Sequence, residues 1–166
     1  MIIKFKDDYP KIHSSCFIAE NSTIIGKVKI DEGSSIFFNV VLRGDVEEIA
    51  IGKYTNIQDN CTVHTDINYP AKIGDEVTVG HNCIIHGCNI GNNCIIGMGS
   101  IILNGAEIGE NCIIGAGSLV TQNYKIPPNT LCFGSPAKII RELTKDEIYQ
   151  IKKYAMHYVE TAKIYK

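Results

Sequence analysis

The chain has 166 residues, of which 45% are apolar and 20% are charged, a balance typical of one globular domain. Its formal net charge is −2 and it has no basic block, which argues against a nucleic-acid partner. The N-terminal residues carry charges where an export signal needs an apolar stretch, and no segment resembles a membrane span. We therefore expect a cytoplasmic protein whose seven Cys are free thiols.

An aliphatic residue recurs at every sixth position through most of the chain, interrupted by insertions of three and four residues and by one five-residue step. The eighteen positions are Ile18, Ile24, Ile30, Ile36, Leu42, Ile51, Ile57, Val63, Ile73, Val79, Ile85, Ile90, Ile96, Ile102, Ile108, Ile114, Val120 and Ile126. The fourth residue after each of them is usually small, which suits a narrow interior. Five Cys share that phase and are interpreted as core fillers: Cys16, Cys61, Cys83, Cys94 and Cys112.

This six-residue period resembles that of the hexapeptide-repeat proteins, and the resemblance implies a left-handed parallel β-helix of triangular section. In that fold three hexads make one coil, so eighteen hexads imply about six coils stacked at about 4.8 Å. Each coil stabilises its neighbours and does not fold alone. We therefore expect an all-β solenoid over residues 1–130.

The C-terminal part of the chain carries a different signal. Pro127 and Pro128 end the strand ladder. Thr144 and Glu147 have the spacing of a capping box, and apolar residues follow at helical intervals. This pattern predicts a helix over 144–163, so residues 131–166 form a turn and a helix that packs on the flank of the β-helix, within one domain overall.

Two histidines share one face of the predicted β-helix. His64 and His86 each follow an aliphatic position, and three hexads separate them, so both side chains point outward one coil apart. That distance allows both imidazoles to bind one zinc ion. Arg43 lies one coil below in the same stack. A solvated polar surface would explain any one of these residues, but the stack as a whole favours a metal or catalytic site.

A third histidine, His81, falls on the preceding face, one coil above Asp59. Its direction differs from that of His64 and His86, so we do not expect one chain to bring all three together. A closed three-fold ring of chains sets one face of each prism against a different face of the next. Such a ring predicts a three-His site with an open fourth position, which is the arrangement of catalytic zinc.

Four short segments at and around these residues make the resemblance more specific. They are VLRGD at 41–45, NIQD at 56–59, His64, and GHNCIIHG at 80–87. They resemble the γ-class carbonic anhydrase family, most closely its short bacterial branch. The similarity covers nearly the whole chain and includes IGMG at 96–99 and GSPAK at 134–138, although related acyltransferases share the last of these.

The resemblance implies an enzyme that hydrates carbon dioxide reversibly to bicarbonate by a metal-bound hydroxide. It also implies a homotrimer in which His64 and His86 of one chain and His81 of the next hold the metal ion. Three neutral imidazoles lower the pKa of a metal-bound water to about 7. We expect zinc, although iron or cobalt also suits imidazole ligands.

The same resemblance gives roles to further side chains. Gln58 would hydrogen-bond the metal-bound hydroxide or the product. Arg43 and Asp59 would pair across the subunit interface, and Asp45 would support that network. Tyr158 on the predicted helix would overhang the site, since the family places a Tyr there, but a packing role on the apolar stripe of the helix is the simpler interpretation.

The chain departs from the archetypal family pattern in two places. Val46 stands where an acidic residue follows the Asp of the Arg-x-Asp motif, and the insertion at 65–70 is short, with Asp66 as its one acidic residue. Fast hydration needs a group that carries a proton away in each turnover. We therefore predict an intact metal site with slow or conditional activity, and Asp66 as a hypothetical substitute for the missing proton shuttle.

Three other functions remain open at this stage. A hexapeptide-repeat acyltransferase would use one His as general base and an acyl thioester as substrate. A metal-dependent thioesterase, or a non-catalytic metal-binding trimer, would keep the metal without hydrating carbon dioxide. About one bound metal ion per chain would favour the metal-dependent functions and argue against the acyltransferase.

Overall fold

The computed structural model describes all 166 residues and contains twenty β-strands and one α-helix. In chain order the strands are β1 (Ile2–Ile3), β2 (Lys11–Ile12), β3 (Phe17–Ile18), β4 (Thr23–Ile30), β5 (Ser35–Ile36), β6 (Val41–Ile51), β7 (Asn56–Ile57), β8 (Thr62–His64), β9 (Ala71–Ile73), β10 (Thr78–Val79), β11 (Ile84–His86), β12 (Asn89–Ile90), β13 (Ile95–Ile96), β14 (Ile101–Ile102), β15 (Glu107–Ile108), β16 (Ile113–Ile114), β17 (Leu119–Val120), β18 (Lys125–Ile126), β19 (Thr130–Gly134) and β20 (Ala137–Glu142). The helix α1 is Lys145–Ile164.

The strands form the three faces of a parallel solenoid, which confirms the predicted left-handed β-helix. Face A contains β1, β8, β11, β14 and β17 together with the first halves of β4 and β6. Face B contains β2, β9, β12, β15 and β18 with the second halves of β4 and β6. Face C contains β3, β5, β7, β10, β13, β16 and β19.

Seven strands on each face make seven coils, one more than the hexad count predicts. The additional strands lie at the two ends of the repeat. Ile12 precedes the first counted hexad by six residues, and Cys132 follows the last one by six and pairs with Ile114 of the coil below. The N-terminal strands β1 and β2 were missed because the segment before Ile12 is irregular, and the C-terminal strand β19 was missed because a Cys replaces the aliphatic residue.

The hexad residues fill a continuous core. Thirty-one buried residues form one cluster, in which Leu42, Val63 and Ile85 have no solvent exposure. Burial of each such side chain stabilises the fold by roughly 1.5–3 kcal/mol relative to leaving it exposed. All seven Cys are buried and unpaired. The Cys61 thiol donates to the Gly80 carbonyl 3.0 Å away, as expected of core fillers rather than reactive groups.

Corners between the faces use residues in the left-handed region of backbone space, and most of these residues other than Gly are Asn. Asn93, Asn111 and Asn129 have φ between 53° and 60° and occupy one corner in three successive coils. Their side-chain amides form a ladder, with donor–acceptor distances of 2.7 and 3.0 Å. Asn tolerates positive φ better than other residues with a Cβ, so the corners follow from the sequence.

Helix α1 starts one residue after the predicted start and packs on the flank of the solenoid. Thr144 is its N-cap, and the side chains of Thr144 and Glu147 form the capping box reciprocally. Ile151, Ala155 and Ala162 are buried against the solenoid, where the helix contacts β5 and β7 of face C. No helix of the chain has both the length and the apolarity to cross a bilayer.

One element was not expected in the C-terminal region. β20 turns back after residue 134 and pairs antiparallel with β19, so a hairpin lies where a simple turn was predicted. The hairpin covers the outer edge of β19, so that β20 becomes the last strand of face C.

Candidate metal centre

Three polar side chains stack on the outside of face A. Arg43, His64 and His86 occupy paired positions on β6, β8 and β11. Each follows an inward-pointing aliphatic residue and therefore points outward, because side chains alternate along a strand. The register of the β-helix thus sets the two imidazoles one above the other.

The two histidines of this stack face each other, and we call them the histidine pair. His64 Nδ1 lies 2.9 Å from His86 Nε2. The remaining ring nitrogens contact oxygen acceptors: His64 Nε2 lies 3.1 Å from Asp45 Oδ1, and His86 Nδ1 lies 2.5 Å from Asn104 Oδ1. Because a carboxylate and an amide oxygen accept hydrogen bonds, each ring in its neutral form would donate its N–H there.

Neutral rings arranged in this way present a lone pair on each of the two facing nitrogens. Two lone pairs 2.9 Å apart repel each other unless a cation lies between them. Neutral imidazoles whose outer N–H is bonded to a carboxylate or an amide are also the usual form of histidine metal ligands. The donor set of the histidine pair therefore fits a divalent metal ion.

Electrostatics around the pair favour a neutral His64 and an ionised Asp45. Burial lowers the pKa of His64, although the hydrogen bond to Asp45 acts in the opposite direction. Burial alone would raise the pKa of Asp45, but hydrogen bonds from Arg43 and His64 hold it below its ordinary value. Arg43 donates to Asp45 Oδ2 at 2.5 Å, so this carboxylate joins the guanidinium to the histidine pair.

His81 lies apart from the pair, as the sequence leads us to expect. It follows Gly80 at the end of β10 on face C, and its side chain is 41% exposed. Its Nδ1 lies 2.9 Å from Asp59 Oδ2, which leaves Nε2 available on the outside. Within one chain no three His, Cys, Asp or Glu side chains are grouped so that they could hold a metal ion.

Two other predicted residues also belong to face C. Gln58 is 4% exposed and donates to Asn56 Oδ1 at 3.2 Å. Tyr158 of α1 packs edge-on against Phe37, with ring centroids 5.8 Å apart. Burial raises the pKa of Tyr158, and the neighbouring Gln58 side chain partly offsets that effect. The Tyr158 side chain therefore packs against Phe37 and also lies beside Gln58.

The predicted site residues thus fall into two groups on different faces. The face A group contains Arg43, Asp45, His64, Asp66 and His86. The face C group contains Gln58, Asp59, His81 and Tyr158. Arg43 pairs with Asp45 within the chain, whereas the resemblance implies a partner for it across a subunit interface.

Sequence reasoning missed one residue that touches the histidine pair, Asn104. It is 8% exposed, and besides accepting from His86 it donates from Nδ2 to Asp66 Oδ2 at 3.0 Å. Asp66 therefore reaches the pair through an amide rather than by direct contact with His64. The signal in the sequence that could have identified Asn104 is its position: it is a polar residue in the coil above His86, close to the stack that contains this histidine.

Comparison with known proteins gives consistent matches. The family model described as bacterial transferase hexapeptide (six repeats) matches residues 70–102 and 87–122. A carbonic anhydrase of Geobacillus kaustophilus is 52% identical over 100% of this chain and 91% of its own length. The mitochondrial gamma carbonic anhydrase 2 of Arabidopsis thaliana is 43% identical over 96% of this chain and 59% of its own length.

A solved structure agrees with the fold. The crystal structure of a hexapeptide transferase family protein from Anaplasma phagocytophilum superposes with a TM-score of 0.96 at 41% identity, covering 99% of this chain and 98% of that one. The coils and their repeat define a hexapeptide-repeat β-helix protein. The extent and identity of the matches to named carbonic anhydrases go further: the chain belongs to the γ-class carbonic anhydrase family.

Proposed function

We propose that this protein is a metal-dependent carbonic anhydrase that hydrates carbon dioxide reversibly to bicarbonate. The observation that carries the proposal is the histidine pair, in which two imidazole nitrogens face each other at 2.9 Å while acceptors hold the other two. Membership of a family whose relatives are named carbonic anhydrases supplies the reaction. Zinc is the metal we propose, with iron or cobalt as alternatives.

The active assembly is a homotrimer in which the two groups of residues meet. His64 and His86 hold the metal ion with His81 of the partner subunit, which leaves a fourth position open for substrate. The support is that the two groups lie on different faces, as a three-fold ring requires. Apolar residues also flank both groups: Ile84 beside the pair is 43% exposed, and Met98 near His81 is 59% exposed. A second copy of the chain would cover them.

The chain's own residues prepare the site for this chemistry. When bound, the metal ion supplies a nucleophile at neutral pH by lowering the pKa of a coordinated water to about 7. Asp45 and Asn104 hold the outer nitrogens of the pair and so fix the direction of both rings. Gln58, whose side-chain amide donates to Asn56 Oδ1, would orient a ligand by hydrogen bonding. Arg43 adds a positive charge that favours bicarbonate.

Turnover is expected to be slow or conditional. Val46 is not acidic, and Asp66 is held by two donors, the Ile67 backbone N–H at 2.8 Å and the Asn104 amide at 3.0 Å. A proton shuttle has to exchange its proton with both the site and the solvent, and a carboxylate with two fixed partners does so less freely. Asp66 remains the proposed proton carrier because no other acidic side chain lies in the loop beside the pair.

The proposal is tested by stopped-flow hydration of carbon dioxide with metal-reconstituted protein. His64→Ala is the test variant and His13→Ala the matched control, because the His13 side chain is exposed and forms hydrogen bonds only with Ser15. We expect activity in the wild type and the control and its loss in His64→Ala. Full metal loading with no hydration in the wild type would reject the carbonic anhydrase and leave a thioesterase or a binding trimer.

A further inference from the structure

A buried amide connects one histidine of the pair to the surface loop. Asn104 follows β14, and its side chain lies between His86 and Asp66. Its Oδ1 is 2.5 Å from His86 Nδ1, and its Nδ2 is 3.0 Å from Asp66 Oδ2. The three groups form a continuous hydrogen-bonded line from an exposed carboxylate to an imidazole of the candidate metal centre.

The chemistry of the three groups fixes the direction of every hydrogen bond in this line. An ionised carboxylate only accepts, so Asp66 requires the NH₂ end of the Asn104 amide. The amide oxygen must then face His86, and the ring can only donate to it from Nδ1. A neutral His86 that donates from Nδ1 has its lone pair on Nε2, the atom that faces His64.

The backbone of the insertion holds the Asp66 carboxylate in place. Residues 66 and 69 close a tight turn, in which the Tyr69 N–H donates to the Asp66 carbonyl at 2.8 Å. The Ile67 N–H donates to Asp66 Oδ1 at 2.8 Å, which leaves Oδ2 for Asn104. The four-residue insertion after Val63 therefore places an acceptor beside the amide.

The residue after His86 leaves room for this amide. Gly87 has φ of +54°, and a Cβ at this position would lie 2.7 Å from Asn104 Oδ1 and 2.7 Å from the Tyr69 Cβ. Any side chain there would push the amide or the loop away from His86. The glycine is thus required both by its backbone conformation and by the close approach of Asn104.

We infer that Asn104 and Asp66 are positioning residues that hold His86 in the Nδ1–H tautomer and so present its Nε2 to a metal ion. Asp66 acts by orienting the Asn104 amide, and Asn104 acts by accepting the ring proton. The inference rests on the proposed function, because the metal ion is the group toward which Nε2 is presented. It gives the loop carboxylate a role that is separate from proton transfer.

The tautomer is measured directly by ¹⁵N NMR of metal-free protein at a pH where the imidazoles are neutral. We expect Nδ1–H for His86 in the wild type. Asp66→Asn lets the Asn104 amide turn its NH₂ toward the ring, so His86 is expected to shift toward Nε2–H, which can donate to His64. Asp66 is exposed, so this variant does not threaten the fold.

Exchanging the carboxylate and the amide between residues 66 and 104 is expected to restore the His86 tautomer. In Asn104→Asp combined with Asp66→Asn, the new carboxylate accepts from His86 and the new amide donates to that carboxylate. We expect this double variant to restore the Nδ1–H tautomer that the single Asp66→Asn change weakens. A merely structural role for residue 66 would not predict this recovery.

Metal affinity is the second readout, with zinc competed against a chelator. Asn104→Leu, which keeps the size but removes the acceptor, is expected to bind zinc roughly 10–100-fold more weakly, and the double variant is expected to recover. Asn89→Leu is the matched control, since Asn89 is an exposed strand residue on face B. Circular dichroism checks that each variant keeps its fold.

The outcomes separate this inference from the proposed function. Wild-type His86 with its proton on Nε2, or a tautomer unchanged by both Asp66→Asn and Asn104→Leu, overturns the inference whatever the activity. Unchanged zinc affinity in Asn104→Leu also overturns it. Wild-type protein that binds no metal overturns the proposed function instead, and the tautomer measurement then still decides whether Asp66 and Asn104 orient His86.

Discussion

At the scale of single residues, the two histidines of the pair differ from His13 in what holds their outer nitrogens. His64 contacts a carboxylate and His86 an amide oxygen, and each contact fixes which ring nitrogen keeps a free lone pair. His13, by contrast, is exposed and bonds to the neighbouring Ser15. Metal binding is therefore expected to depend on the acceptors almost as strongly as on the imidazoles.

Asp45→Asn tests this dependence. An Asn at this position can turn either end of its amide toward His64, and it no longer carries the charge that pairs with Arg43 at 2.5 Å. We expect zinc affinity to fall by roughly 10–100-fold, as other residues behind metal ligands do when changed. Chelator competition measures the loss, with Asp31→Asn as a control at an exposed ion pair with Lys29. Equal affinities for the two variants would contradict the assigned role.

At the scale of elements, the sequence predicts regular repeats well and contacts between loops poorly. Hexad spacing alone places His64 above Arg43 and His86 above His64, because each coil adds one strand in fixed register. Asn104 was missed because its role depends on the turn at Asp66, which brings together residues 38 positions apart. No periodic pattern encodes such a contact.

The C-terminal helix shows the same contrast. Its start at Thr144 follows from a local capping pattern, which the structure reproduces. The β19–β20 hairpin before it was not predicted, because the pairing of Cys132 with Ile139 arises from closing the end of face C rather than from a strand pattern. A capping box can be predicted from a few neighbouring residues, whereas the strand that covers the end of face C depends on the rest of the fold.

Glu147→Gln tests the helix cap through its pH dependence. The side-chain hydrogen bond from Arg141, together with bonds from Thr144, lowers the pKa of Glu147 to about 2 from an ordinary 4.5. A lowered folded-state pKa gives stability that is complete above the ordinary value and is lost as the pH falls toward 2. We expect Glu147→Gln to lose that part of the acid dependence of helix content.

Circular dichroism across pH 2–6 measures this effect, with Glu110→Gln as a control at a corner of the solenoid. The capped helix should begin to lose stability near pH 4.5 in the wild type and the control. Identical acid profiles for Glu147→Gln and the wild type would show that this carboxylate does not stabilise the helix start.

At the scale of the whole molecule, the residues of the proposed site fall into two groups on different faces of one chain. His64 and His86 lie on face A, while His81 and Gln58 lie on face C with Tyr158 above them. The triangular section of the solenoid holds these faces apart, so no movement of side chains within a chain unites them. We propose that the assembly of several chains brings these two groups together.

Ile84→Glu tests the assembly. Ile84 is exposed beside the pair, and a buried carboxylate in a subunit interface carries a large desolvation cost. We expect this variant to sediment as a smaller species and to lose bound metal while keeping its β-sheet spectrum. Ile164→Glu at the end of α1, where the side chain is 85% exposed, is the matched control. Loss of assembly in both variants, or in neither, would contradict an interface at face A.

The amount of metal bound per chain tests whether the three histidines form one shared metal centre. It is measured by elemental analysis of protein purified without chelator, for the wild type, His81→Ala and His13→Ala. We expect about one metal ion per chain in the wild type and in His13→Ala, and its loss in His81→Ala although His81 lies apart from the pair. Metal retained in His81→Ala would contradict the shared three-histidine site, and a wild type without metal would contradict the metal centre itself.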